Sequence, residues 1–166
     1  MHTDLSPSFD AIPQAARALA LLGALGFLAL AVLSVVSVVG RKLAAAPIPG
    51  DIELVQMGAA VAASWFFPYC TLRGADLKID IVPRRWRAGC MHWLDTVASL
   101  GIAAFGALVG WRVAVGAWGL YEAGETSMVL GCPLWIPQML LVPGFVLMGV
   151  CGLHRAAGHW QQVCKR

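Results

Sequence analysis

Few side chains in this sequence are of types that do chemistry, and they are scattered. His92 and His154 each fall at an end of an apolar run, an arrangement that would suit a bis-histidine haem between two membrane helices. Both also sit at or beyond the apolar edge, among basic residues, where water accounts for them. The five cysteines, at 70, 90, 132, 151 and 164, are odd in number and form no C-x-x-C pair. They outline neither a disulfide framework nor a zinc site. Glu53, Asp95 and Arg112 stand at the ends of apolar runs, where interfacial solvation suffices, whereas a proton relay or ion path needs such groups in mid-membrane. No Ser–His–Asp set, glycine-rich phosphate loop or carboxylate pair in a plausible cleft occurs. The sequence predicts no enzyme and no cofactor.

The elements that must position these residues follow from composition. The 166 residues are 59% apolar and only 13% charged, with mean hydropathy +0.73. A soluble domain carries about a quarter charged residues, so most of this surface does not face water. The net charge of +3 does not point to nucleic acid, because Lys and Arg cluster at the ends of apolar runs.

The clearest run is Leu54 to Leu72, 19 residues without a charge between Glu53 and Arg73. At ~1.5 Å per residue, such a helix matches a hydrocarbon core roughly 30 Å thick. Asp51 and Glu53 suit the positive end of its dipole, and Arg73-Gly74 supplies a basic end and a stop. Ala18 to Gly40 is charge-free over 23 residues, too long for a signal-peptide core of ~7–15, and reads as a retained anchor. Two further runs complete a single all-α membrane domain of four spans, near 18–40, 52–72, 93–112 and 135–153.

The connections complete the expectation. Met1 to Arg17 reads as a tail or short interfacial helix, and Gln161 to Arg166 as a polar tail. Pro47 and Pro49 keep the first loop from being regular helix. Gly74 to Met91 mixes Lys78, Arg84, Arg85 and Arg87 with apolar residues and reads as an interfacial segment between the second and third spans. Arg112 reaches the far interface by snorkelling, and the apolar stretch after it lets the third helix project further. Pro143 should kink the fourth span. Nine basic residues on the side of the termini against three on the other predict that both termini are cytoplasmic. Gly106 and Gly110 form a G-x-x-x-G, and Gly58/Ala62 with Ala59/Ala63 give small faces on the second span, all suited to close helix packing.

These features resemble the small membrane subunit, DctQ-like, of tripartite ATP-independent periplasmic (TRAP) transporters over roughly Leu19 to Gly152. The motifs are a first span ending in Arg41, and Pro-Ile-Pro-Gly-Asp-Ile-Glu-Leu at 47–54. Arg73-Gly74 follows, then Leu77-Lys78-Ile79-Asp80 and Pro-Arg-Arg at 83–85. A last span opens with Pro-Leu-Trp-Ile-Pro at 133–137 and continues with Pro143-Gly144-Phe145. One departure is Ala75-Asp76, where many members carry a histidine close to the glycine.

The resemblance implies a non-catalytic scaffold in a bacterial inner membrane. Its partners would be membrane lipid, a much larger multi-span membrane subunit and a soluble periplasmic binding protein. Together they would take up an organic acid, such as a dicarboxylate, coupled to sodium. Arg41, Asp51, Glu53, Gly74 and Asp80 are the structural or interface positions it suggests, beside the packing glycines Gly106 and Gly110. A haem-binding membrane anchor and a free-standing homo-oligomeric transporter stand as the other readings.

Overall fold

The computed structural model describes the backbone of residues 7–43, 49–74 and 88–164, and side chains within 12–43, 49–74 and 93–158. The described residues form four helices: α1 (Pro7–Leu43), α2 (Asp51–Arg73), α3 (Ala88–Ala123) and α4 (Trp135–Cys164). No strand occurs among them; an isolated bridge between Thr126 and Pro133 ties the α3–α4 loop. Three helices are long and apolar enough to cross a membrane, over Ile12–Leu43, Trp93–Ala123 and Trp135–Gly158.

The helix α2 is less apolar than the other three, and its position explains why. The helices stand in a row, in the order α1, α2, α4, α3, with α2 packed on α1 on one side and on α4 on the other. Its Trp65, Ser64 and Thr71 meet protein. The Trp65 indole N–H donates to the carbonyl of Leu140 on α4 at 2.9 Å, and Ser64 and Thr71 are buried. Apart from a slight touch of α1 on α4, non-adjacent helices in the row make no backbone contact among the described residues.

Small residues set the spacings. On α3, a Cβ at Gly106 would lie 2.8 Å from the amide nitrogen of Gly149 and 2.9 Å from the carbonyl of Phe145, both on α4. Gly144 on α4 is pressed against the Ser64 backbone of α2 closely enough that no side chain fits. Pro143, just before it, has no N–H for the carbonyl of Met139, so α4 loses one internal bond where it approaches α2 most tightly. Gly58 and Ala62 of α2 face α1, beneath Leu30 and beside Gly23 and Gly26.

Several boundaries differ from expectation. The chain is helical from Pro7, continuous with the first apolar run, where a tail or separate short helix was expected. Proline suits the first helical position, and the alanine-rich stretch that follows favours helix strongly enough to carry Pro13 inside it. Helix α3 does project past Arg112, as its apolar continuation predicts, and ends eleven residues on at Ala123, whereas α4 runs on to Cys164 through the stretch expected as a polar tail. The expected interfacial segment, with Lys78, Asp80, Arg84 and Arg85, lies outside the described residues, as does the side chain of His92.

Candidate functional site

Polar side chains gather at the two ends of α2. Helix α2 begins after Gly50, which adopts a left-handed conformation (φ 77°) and offers its carbonyl to the Leu54 amide at 3.0 Å. The next residue, Asp51, turns to α1. Its carboxylate accepts a hydrogen bond from the Ser37 hydroxyl, pairs with Arg41 at 3.3 Å, and accepts the Ile52 amide at 2.8 Å. The Ser37 hydroxyl is the chief cause that holds the Asp51 carboxyl below the usual carboxylate range, against partial desolvation. The Ile52 amide and the Arg41 charge act in the same direction.

Two residues on, Glu53 serves the opposite neighbour. It accepts the Ser127 hydroxyl at 2.6 Å and the backbone amides of Val129 and Leu130 at 3.2 Å. One carboxylate thereby gathers three donors from the α3–α4 loop and folds that loop over the start of α2. Leu130 then covers Gly50. Ser127 also accepts the Leu130 amide, so the loop is tied within itself as well as to α2.

At the far end, Gly74 closes α2 in a left-handed conformation (φ 63°), its N–H returning to the carbonyls of Cys70 and Thr71. Such a cap favours glycine because any Cβ is strained there. Arg155 of α4 donates to the Thr71 carbonyl at 2.7 Å, placing a cation at the negative end of the helix. A Cβ at Gly74 would also meet this guanidinium, at 3.2 Å. The Thr71 hydroxyl is buried without a partner among the described residues.

The structure brings Arg41, Asp51 and Glu53 together at one end, with Gly74 at the other. Gly106 and Gly110 lie between α3 and α4, inside this chain's own packing. Asp80 lies outside the described residues. Sequence reasoning missed Ser37, Ser127 and Arg155 as site residues. The serines give no periodic signal, while Arg155 was legible only as a charge near the end of an apolar run.

Aromatic side chains cluster beside the α3–α4 loop, whose Ser127 belongs to the first polar cluster. Tyr121 stacks edge-on with Trp135 at 5.6 Å, and Trp118 adjoins Tyr121 at 6.0 Å. Amphipathic rings gather where hydrocarbon meets water. Trp135 and Arg155 are 20 residues apart on α4, or roughly 30 Å, which is the thickness of a hydrocarbon core. Between these levels an apolar groove of about 490 Å³ runs over α2, walled by Leu30, Met57, Val61, Trp65, Ile136 and Leu140 among others. Such walls suit hydrocarbon and offer nothing to a carboxylate.

The family model described as "Tripartite ATP-independent periplasmic transporters, DctQ component" matches residues 30–162. No curated protein and no solved structure matches the chain.

Proposed function

The chain belongs to the DctQ family of TRAP transporter components, and from that premise we propose that it is a scaffold subunit bracing a larger membrane subunit. The complex takes up an organic acid such as a dicarboxylate, coupled to sodium and delivered by a soluble periplasmic binding protein. All four helices cross the inner membrane, both termini are cytoplasmic, and the end carrying Asp51 and Glu53 faces outward. The small subunit holds neither substrate nor sodium.

One observation carries the scaffold reading: the conspicuous polar groups at both ends of α2 are committed to holding neighbouring segments together. Asp51 ties α1 to α2, Glu53 ties α2 to the α3–α4 loop, and Arg155 ties α4 to the end of α2. An open row of helices also presents long flanks in the membrane plane, the shape a bracing element needs.

Affinity purification of the chain from its native membranes in mild detergent tests this. A stoichiometric partner of about a dozen spans is expected, with uptake in proteoliposomes requiring both polypeptides and the binding protein. Transport by this chain alone would sink the reading, as would its recovery as a homo-oligomer without a large partner.

A further inference from the structure

The two outer helices of the row present very different flanks. The exposed side of α1, with Leu21, Leu25, Leu28, Val32 and Val35, is aliphatic and carries no charge between Arg17 and Arg41. Lipid tails satisfy it fully. On α3 the face turned away from α4 runs through Gly101, Phe105, Leu108, Arg112, Val115 and Gly119, all exposed. The spacing alternates four and three residues, the register of a seam between two packed helices. The opposite face, with Ser99, Ala103, Gly106 and Ala117, is the buried one.

Arg112 sits in the middle of that outward seam. Its guanidinium makes no hydrogen bond or ion pair among the described residues. Its depth follows from the register of α3 against α4. Gln138 donates to the Val113 carbonyl at 3.4 Å and lies against Gly116, so Trp135, one turn earlier, stands level with the turn before Tyr121. Trp118 on that level is six residues beyond Arg112, which leaves the Arg112 backbone roughly 9 Å inside the boundary. An arginine at such a depth either stretches back to the interface or meets a partner group.

We infer that the Gly101–Gly119 face of α3 is the seam on which a membrane helix of the large subunit docks, with Arg112 pairing to a carboxylate, or a freed backbone carbonyl, on that helix at the same depth. The inference rests on the scaffold reading and names the surface that reading requires. Charge sets the two flanks apart and calls for an acceptor on the occupant: α3 carries a cation that is unpaired among the described residues, and the exposed side of α1 carries none. The glycines at both ends of the seam have nothing within 4 Å of a built Cβ, so a facing helix can approach closely there.

The test uses the full chain expressed with its large partner. A photo-crosslinking residue is placed at Phe105, Leu108 or Val115 on α3, and at Leu25 or Val32 on α1. Crosslinks to the large polypeptide are expected from the α3 positions and not from α1. Arg112→Leu should cut recovery of the partner at least about tenfold, the scale for leaving one member of a buried charge pair alone, and Arg112→Lys should recover much of it. Crosslinks confined to α1, with recovery unchanged in Arg112→Leu, would overturn the seam while leaving the scaffold reading standing. Crosslinks from α3 to phospholipid alone would assign Arg112 to a headgroup phosphate and overturn it too. If no large polypeptide accompanies the unmodified chain, the scaffold reading itself fails.

Discussion

The hydroxyl of Ser127 donates to the carboxylate of Glu53 across 2.6 Å, joining residues 74 positions apart in the chain. This contact seats the α3–α4 loop on the first turn of α2, and with the two loop amides it makes Glu53 the loop's anchor. Glu53→Ala should release the loop while leaving the helices intact. Hydrogen exchange at Val129 and Leu130 should speed up at least several-fold, with little change at the centre of α4. Glu53→Gln keeps one carbonyl acceptor and should fall between. Unchanged exchange in Glu53→Ala would show that the loop's own hydrogen bonds, such as Leu130 to Ser127, hold it without the carboxylate.

Asp51 gives the fold an acid-sensitive tie. Its carboxyl is lowered in the folded chain, chiefly by the Ser37 hydroxyl, so the folded state favours the ionised form. The stabilisation is fully present above the ordinary carboxylate value and is lost as pH falls through the lowered one. Thermal stability in micelles should therefore decline on acidification, and Asp51→Asn should flatten that decline. Ser37→Ala should move the Asp51 titration upward, toward an ordinary carboxylate, as read by carboxyl-sensitive infrared or NMR signals.

Gly106 and Gly101 make an internal comparison on one helix. Alanine at Gly106 would drive a methyl into the Gly149 backbone, and a separation of α3 from α4 should cost about 1–3 kcal/mol. Alanine at Gly101 meets nothing within 4 Å and should be neutral or stabilise by up to about 1 kcal/mol through helix propensity. Melting of the isolated chain in detergent distinguishes the two. Equal effects would mean that α3 and α4 do not touch at Gly106.

Arg155→Ala should fray the last turn of α2, because the Thr71 carbonyl loses a charged donor and the helix end loses its cation. A loss of about 1.5–3 kcal/mol is the usual scale for such a bond. Arg155→Lys should retain the charge effect and part of the bond. Local exchange at Arg73 and Gly74 reports it, and an unaltered rate in Arg155→Ala would reduce the contact to a crossing of side chains.

The sequence located these helices well where charges bracket them and poorly where a helix runs on through a polar flank, as α1 does from Pro7 and α4 does to Cys164. Helix α2 spans 51–73 because Asp51, Glu53, Arg73 and Gly74 punctuate it, and each was visible. Helix α3 passes Arg112 because one arginine does not end a helix; only Gly124, in a left-handed turn, does. The lateral order of the helices was not legible, since α1 and α3 are apolar around most of their circumference and no stripe says which neighbour they take. The same limit hid Ser37 and Ser127. A serine becomes part of a site through what the fold sets opposite it, and here those partners are 14 and 74 residues away.

The row has a further consequence for how the molecule is put together. Sequence neighbours pair first, α1 with α2 and α3 with α4, and only the α2–α4 contact unites the two hairpins. When helices insert separately and associate afterwards, each hairpin is complete as soon as its second helix emerges from the ribosome. The union must wait for α4, the last of these four helices in chain order, to find a helix made two spans earlier. Assembly therefore ends on Gly144 settling against Ser64 and Arg155 reaching Thr71. A chain severed between α2 and α3 would keep both hairpins and the whole of that closing joint, and its two halves should reunite without the peptide bond.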